Sequence, residues 1–169
     1  MKQKPRTNRQ TDGNNGARTS PLHAVIVKPE QALSIKPFGL DIKVLLSTEA
    51  TGGAISVLMG WLKPGEGPSD HVHFNQEEIF FIIEGTYEMT VGGQTSTVGP
   101  GTIVFIPRNV VHRFKNVGDT TGCMLDWSLP GGHDHYFKAM AQLAAGDGFT
   151  GEKMAEINKK FDTKFLAAH

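Results

Sequence analysis

The chain has 169 residues, enough for one domain with a sizeable core, and its 38% hydrophobic and 20% charged residues are typical of globular proteins. Because 17 basic residues balance 17 acidic ones, the net charge gives no reason to expect a nucleic acid or a membrane as a partner. The sequence has no apolar run long enough for a signal peptide or a bilayer span, and Cys123 is its only cysteine, so we expect a cytoplasmic protein.

Residues 1–20 are predicted to form a disordered polar tail. This stretch has almost no apolar side chains to bury, so it cannot offset the entropy cost of folding. Its basic residues are Lys2, Lys4, Arg6, Arg9 and Arg18. A solvated terminus explains these basic residues as well as contact with an anionic partner does.

Residues 21–130 are predicted to form an all-β domain. Short apolar or alternating runs follow one another here, separated by Gly, Pro, Asn and Asp, with no helical stretch between them. This density of short strands indicates an antiparallel sandwich or barrel. We expect strands near residues 23–27, 41–47, 54–62, 69–74, 78–84, 86–91, 94–98, 102–106, 111–116 and 121–129.

Residues 131–169 are predicted to form a helical extension that packs outside the barrel or covers one end of it. Tyr136, Phe137, Met140, Leu143 and Ala144 have the spacing of one helix face. A second stretch repeats this pattern at Met154, Ile157 and Phe161, after a break at residues 146–148.

Two short blocks carry residues that are able to bind a metal ion. The first reads Gly65-x5-His71-x-His73-x4-Glu78-x6-Gly85, and the second reads Gly101-x5-Pro107-x-Asn109-x2-His112-x3-Asn116. His71 and His73 are two residues apart on a strand, so both rings point to one face, and Glu78 opens the next strand. Three imidazoles and one carboxylate form a mixed nitrogen and oxygen site, and burying them without a cation would be costly.

Both blocks resemble the paired motifs of the cupin superfamily, which together span roughly residues 65–116. The resemblance implies a single double-stranded β-helix, or jelly-roll barrel, with His71, His73, Glu78 and His112 as the four metal ligands. Glu77 is the alternative carboxylate, but only Glu78 leaves the six-residue spacer before Gly85. Asn109 stands where the family usually has glycine, and asparagine tolerates the positive φ that a turn there requires.

The stretch from Thr51 to Gly132 further resembles quercetin dioxygenase-like cupins with a single domain. The resemblance implies an oxygen-using enzyme that binds a small aromatic enol or phenol on one divalent transition metal, with Glu78 as the proton acceptor. Two alternatives stay open: a metal-dependent isomerase, lyase or cyclase that uses no oxygen, and a cupin that only binds a small molecule. The ligand types fit iron, manganese, nickel, cobalt, copper and zinc.

The substrate pocket is predicted from strand parity. Phe80 and Ile82 share the parity of Glu78, and Phe114 shares that of His112, so these side chains are expected to form an apolar wall. Met89, Phe105, Met124 and Trp127 are further candidates. On the last strand, the alternation of Cys123, Leu125 and Trp127 indicates one buried odd-numbered face.

Two further expectations concern surface features. The pair His133 and His135 repeats the spacing of the first two ligands, but it lies in a Gly-rich connection and is interpreted as solvated. The strand predicted at residues 23–27 is an edge strand that is able to add to a neighbour's sheet, so we expect a homodimer.

Overall fold

The structure is a computed structural model, and it describes residues 22–146 and 148–167. The tail predicted over residues 1–20 lies outside these described residues. Within them the chain forms eleven strands, two short 3-10 helices and two α-helices. The first six strands are β1 Leu33–Ile35, β2 Asp41–Leu46, β3 Ser56–Leu62, β4 His71–Val72, β5 Glu77–Glu84 and β6 Tyr87–Val91. The later ones are β7 Gln94–Val98, β8 Ile103–Ile106, β9 His112–Asn116, β10 Gly122–Leu129 and β11 Lys164–Phe165.

The strands form two antiparallel sheets, as predicted. One sheet has the order β1-β2-β3-β10-β5-β8 and the other has the order β11-β4-β9-β6-β7. Adjacent strands in each sheet are often far apart in sequence, which is the topology of a jelly roll and differs from that of a simple meander. This arrangement brings β4 and β9 of one sheet close to β5 of the other. Three of the predicted ligands lie on these strands, and His73 directly follows β4.

The core between the sheets follows the alternation of each strand. On β5, Glu78, Phe80 and Ile82 are buried while their neighbours are partly exposed. Phe80 and Ile82 join Tyr87, Met89 and Met124 in the main apolar cluster. Burying one such side chain contributes roughly 1.5–3 kcal/mol, so this cluster holds the two sheets face to face.

The strand predicted at residues 23–27 is absent, and a strand not predicted forms at β1. Residues 23–27 have strand-type composition, but within the described part of the chain no backbone hydrogen bond joins them to another segment. Ile26 is 93% exposed. A strand exists only when it pairs, and β1 pairs with β2 instead, with Leu33 opposite Val44.

The two helices confirm the predicted C-terminal extension and pack outside the barrel. α1 spans His133–Ala145 and α2 spans Gly151–Lys160. Phe137 on α1 packs against the second apolar cluster, formed by Ile42, Val44 and Leu58 on β2 and β3. α1 begins three residues before the predicted periodic face, and this early start places His133 inside the molecule.

Candidate metal centre and cavity

The structure brings together the four side chains that the two motifs predict. His71 lies on β4 directly opposite His112 on β9, and Glu78 lies on β5 of the facing sheet. Each of the four residues is at most 5% exposed. One donor atom from each side chain lies within 4.8 Å of the other three, so the four are close enough to hold one ion.

The three imidazoles are oriented in the same way. In each ring Nδ1 is hydrogen-bonded to a backbone carbonyl: His71 to Ser69 at 2.9 Å, His73 to Asp162 at 3.0 Å and His112 to Val110 at 3.0 Å. An Nδ1–H that donates to a carbonyl leaves Nε2 as a free lone pair. All three rings therefore present the nitrogen that binds a metal.

The fit of a cation is tested by the buried polar atoms of the cluster. His73 Nε2 is buried without a hydrogen-bond partner, and the nearest carboxylate oxygen, Oε2 of Glu78, is 3.9 Å away. The same Glu78 oxygen is 2.8 Å from His112 Nε2. A cation among these atoms would satisfy the unpartnered nitrogen and the carboxylate together, so the residues fit a divalent transition metal.

Electrostatics favour the ligating form of three of these groups, whereas at His112 burial is outweighed by the hydrogen bond to Glu78, which raises the pKa of that ring. Burial lowers the pKa of His71 to about 4 and also lowers that of His73, so both rings are neutral near pH 7. Burial alone would raise the pKa of Glu78, but His133 and His112 outweigh it and hold that pKa well below its ordinary value. Glu78 is therefore a carboxylate.

Glu77 is not part of the cluster. Its side chain turns outward, as its strand parity predicts, and forms an ion pair with Arg108 at 2.6 Å on the surface. The Arg108 guanidinium lowers the pKa of Glu77. Asn109, at the turn before β9, has a φ of +65°, the left-handed conformation that the sequence predicts there.

His133 is the main correction to the sequence analysis, which interpreted it as solvated. It is 4% exposed, and its Nδ1 lies 3.1 Å from Asp126 Oδ2 and 3.3 Å from Glu78 Oε1. Asp126 is on β10, whose inward face carries the even-numbered residues Met124, Asp126 and Ser128, not the odd-numbered face predicted. The sequence signal for this buried pair was Asp126, a carboxylate on a largely apolar strand.

The Asp126–His133 pair is a buried, charged hydrogen-bonded unit beside the cluster. Burial works against a charged imidazole, but Asp126 and Glu78 outweigh it and raise the pKa of His133 to about 9. Burial raises the pKa of Asp126. A proton shared among these groups is therefore held inside the protein, next to the candidate ligands.

His135 points away from this centre. Its side chain is 37% exposed and is hydrogen-bonded to Glu49, and the buried carboxylate of Asp134 lies beside this pair. Asp134 is already bonded to Thr48 and to Lys138. This group is thus a set of ion pairs and hydrogen bonds, exposed at Glu49 and buried at Asp134, that anchors the first turn of α1.

A cavity of about 380 Å³ opens onto the cluster. Its wall includes the predicted residues Phe80 and Phe114, whereas Ile82 is fully buried in the core. Phe105 is 57% exposed on the outer face of β8, and Trp127 lies on the outward face of β10, so neither lines the cavity. The wall residues that the sequence analysis missed include five large side chains outside residues 65–116, namely Trp61, Tyr136, Phe137, Met140 and Phe165.

The charge of the cavity wall is one-sided. Its ionisable members are Glu66, Glu78, Asp126 and the histidines, and no lysine or arginine is found among the described residues that line it. A substrate carboxylate or phosphate would therefore meet no fixed side-chain cation apart from His133. The remaining wall is aromatic and aliphatic, which suits a flat, apolar ligand.

Comparison with known proteins identifies the family. Residues 60–128 match the cupin domain model. An uncharacterized protein of Methanocaldococcus jannaschii, MJ1618, is 31% identical over 110 residues, which cover 62% of this chain and 87% of that protein. This chain belongs to the cupin family.

Other relatives of the cupin carry functional names. The polyketide synthase CurC of Streptomyces cyaneus is 38% identical over 89 residues, 52% of this chain and 57% of CurC. The quercetin 2,3-dioxygenase of Bacillus subtilis is 26% identical over 113 residues, 67% of this chain and 33% of that enzyme. The cupin therefore spans less than two thirds of the length of either relative.

Solved structures agree on the fold. KdgF from Halomonas sp. matches with a TM-score of 0.60 at 15% identity over 67% of this chain and 99% of KdgF. An RmlC-like cupin from Shewanella frigidimarina matches with a TM-score of 0.56 at 21% identity, over 67% of this chain and 96% of that one. In the described part of the cupin, no helix has the length and apolar character that crossing a membrane requires.

Proposed function

We propose that the cupin binds one divalent transition-metal ion through His71, His73, Glu78 and His112, and that it acts on a flat phenol or enol held in the adjacent cavity. Three observations support the metal assignment: the burial of all four side chains, the common orientation of the three rings, and the unpartnered Nε2 of His73. The ion would supply Lewis-acid stabilisation of an enolate or phenolate oxygen.

We propose proton transfer without oxygen as the reaction class, which means an isomerisation, elimination or cyclisation of an aromatic or polyketide-like substrate. The observation that carries this proposal is the buried Asp126–His133 pair, which lines the cavity and reaches Glu78 Oε1 at 3.3 Å. Such a reaction moves protons between carbon and oxygen, so it needs acid and base groups besides the metal ligands. The similarity to CurC supports a polyketide substrate.

The roles of the individual residues follow from their positions. His133 enters the cavity from the first turn of α1, and we assign it as the group that donates a proton to the substrate or accepts one from it. Asp126 holds the His133 ring through Nδ1. Glu78 remains a candidate acceptor for the substrate proton. Its Oε1 lies 3.3 Å from Nδ1 of His133, so a proton taken up by Glu78 is able to pass to His133. Tyr136, Phe137 and Met140 line the cavity from α1, where their side chains would exclude water from the substrate.

A quercetinase-like dioxygenase is the second candidate. Two observations favour it: the similarity to the Bacillus enzyme and a wall that would accept a flavonol. The four clustered side chains would hold the metal ion, and a redox-active ion would supply the oxygen chemistry that such an enzyme needs. The two candidates differ in whether turnover consumes oxygen.

The first experiment is metal analysis of the purified protein. We expect near one equivalent per chain in the wild type and little in His112→Ala or Glu78→Ala. Glu77→Ala is the matched control, because this neighbouring carboxylate faces Arg108 on the surface. Absence of metal from the wild type after reconstitution with iron, manganese, nickel, cobalt, copper or zinc would refute the assignment.

The second experiment separates the reaction classes. The metal-loaded protein is incubated with quercetin and with a panel of linear and partly cyclised aromatic polyketides, while oxygen uptake and products are followed. Product formation without oxygen uptake, lost in His133→Gln, supports proton-transfer chemistry. Oxygen uptake with quercetin would establish the second candidate instead. Tight binding of a panel member without product would make the protein a small-molecule-binding cupin.

A further inference from the structure

The segment that follows α2 returns to the barrel and docks beside the cluster. We call residues 161–166 the C-terminal strap. It turns at Asp162, whose φ is +58°, and its strand β11 pairs with β4, with Phe165 opposite His71. Leu166 N–H donates to the Asp70 carbonyl at 2.9 Å. The strap lies outside residues 60–128, which the cupin domain model matches.

The strap contacts two of the candidate metal ligands. The carbonyl oxygen of Asp162 accepts the hydrogen bond from His73 Nδ1 at 3.0 Å. The ring of Phe165 stacks on that of His71, with centroids 5.4 Å apart and planes 29° from parallel. Thr163 and Phe165 also line the cavity. The strap is thus at once part of the support for the ligands and part of the substrate wall.

The Asp162 turn is locked to the loop that carries His73. The Asp162 carboxylate accepts hydrogen bonds from Asn75 N–H at 2.6 Å and from Asn75 Nδ2 at 3.0 Å. On the other side of the turn, Thr163 N–H donates to the Asn158 carbonyl at 2.9 Å, which ties the strap to α2. These bonds fix where the Asp162 carbonyl points.

His73 differs from the other two candidate ligands in this dependence. His71 and His112 are each bonded to a carbonyl two residues earlier in their own segment, so their rings are oriented locally. The acceptor for His73 lies 89 residues away in sequence. Without the strap, Nδ1 of His73 would have no partner in the described structure, and neither its tautomer nor its ring orientation would be fixed.

We propose that the C-terminal strap completes the metal site, with Asp162 as a positioning residue whose carbonyl aims Nε2 of His73 at the ion. This inference rests on the proposed metal function. Loss of an outer partner of a metal-bound histidine typically weakens metal affinity by about 10- to 100-fold. Because binding is reciprocal, a bound ion must also stabilise the docked strap.

The test compares two full-length variants at one position. Asp162→Val removes the carboxylate lock and places a β-branched residue at a positive φ that it strongly disfavours. Asp162→Asn keeps a side-chain acceptor and a residue that tolerates this conformation. We expect Zn²⁺ affinity, measured by competition with a chelator, to fall about 10- to 100-fold in the valine variant and to stay near the wild-type value in the asparagine variant.

Two additional measurements keep the inference falsifiable. If Asp162→Val misfolds by circular dichroism, Thr163→Pro takes its place, because proline pushes the preceding residue towards an extended backbone. Ala167→Pro is its control, beyond the strap bonds. Hydrogen exchange of the Leu166 amide is expected to slow when Zn²⁺ is added to the wild type.

The outcomes separate the two proposals. The role of the strap would be overturned if folded Asp162→Val or Thr163→Pro bound Zn²⁺ with wild-type affinity. It would also be overturned if Zn²⁺ did not change the exchange rate of the Leu166 amide. Either result would leave the metal site intact. A wild type that binds neither Zn²⁺ nor any other transition metal would overturn the proposed function itself.

Discussion

At the scale of single residues, the partner of Nδ1 distinguishes the buried histidines. Three rings give this nitrogen to a backbone carbonyl and keep Nε2 for the centre. His133 instead directs Nδ1 at the carboxylates of Asp126 and Glu78. Burial keeps His71 and His73 neutral, whereas the carboxylates of Asp126 and Glu78 outweigh burial at His133 and let that ring hold a proton.

His133→Gln and Asp126→Asn are expected to separate metal binding from turnover. Neither residue is one of the four assigned ligands, so metal content should remain near one per chain. Removal of a general acid or base typically slows turnover by about 10²- to 10⁴-fold, and this is the loss we expect in kcat. Metal analysis and product formation on the same samples check it. His135→Gln is the control, since His135 lies at the surface two residues away.

That prediction would be contradicted if His133→Gln lost its metal ion together with its activity. Such a result would make His133 a fifth ligand or an essential support of Glu78, in place of a proton-transfer group. Loss of activity in His135→Gln to the same extent would point to disruption of α1.

Asp134 gives a prediction about pH and stability. Its side chain is fully buried, and although burial opposes ionisation, bonds from Lys138 and Thr48 lower its pKa below the ordinary value of 3.8. A lowered folded-state pKa means that the contribution to stability is present above pH 3.8 and is lost as the pH falls through the folded-state value. Asp134→Asn should therefore lower the free energy of unfolding by about 1–3 kcal/mol at pH 7.

Urea unfolding of wild type and Asp134→Asn across pH checks this sign. The two curves should converge as the pH falls below 3.8, the ordinary pKa of the aspartate. Asp119→Asn, at an exposed position, should leave the free energy of unfolding nearly unchanged throughout. A difference at Asp134 that grew on acidification would contradict the assigned role of the carboxylate.

The sequence was sufficient to predict which four side chains cluster around the candidate metal site, but not the buried Asp126–His133 pair. His71, His73, Glu78 and His112 lie in two motifs whose spacing and strand parity are local properties. The burial of His133 depends on where α1 packs against β10, and no local pattern records that contact. The same limit applies to Phe165, which meets His71 only because the chain returns to β4.

At the scale of elements, the short strand β4 depends on the turn before it. Gly67 has a φ of +155°, and a Cβ there would lie 2.0 Å from the carbonyl oxygen of Phe114 on β9. The backbone before His71 can therefore approach β9 only without a side chain. The sequence predicts a strand over residues 69–74, but only His71 and Val72 form one, because the backbone bends at Asp70 and again at Phe74 and Asn75.

Gly67→Ala should destabilise this junction. We expect the free energy of unfolding to fall by about 2–4 kcal/mol, because backbone atoms of β9 must move to relieve the overlap. Gly93→Ala is the matched control: its φ is +81°, but a Cβ there meets nothing within 4 Å. The control should lose about 1 kcal/mol, the cost of the backbone conformation alone. Equal losses in denaturant unfolding would show that the contact with Phe114 is not limiting.

At the scale of the whole molecule, the exposed apolar segment before β1 bears on association. Val25 and Ile26 are 52% and 93% exposed, and on the edge strand β8 Ile103 and Phe105 are 66% and 57% exposed. Dimerisation stays a prediction, and these surfaces are where it is best tested. The composition of residues 23–27 favours a strand, but no pairing partner lies among the residues that the structure describes, which explains why the prediction failed for the single copy.

Sedimentation equilibrium checks the predicted homodimer. We expect wild type to be dimeric at micromolar concentration and Ile26→Lys to weaken association at least about tenfold, because a charge would enter an apolar interface. Val117→Lys, at another exposed apolar position, should sediment like wild type. A monomeric wild type would contradict the predicted dimer. If Ile26→Lys associated as strongly as the wild type, the interface would lie on another surface.

The long separation between His73 and its carbonyl partner also bears on how the molecule is assembled. A ribosome makes the chain in order, so all strands up to Leu129 are synthesised before Asp162. On the proposed assignment, a nascent chain paused after β10 would carry every ligand residue and still hold its ion weakly. Metal uptake thereby becomes a late event, which comes after the barrel has closed and the last helix has left the ribosome.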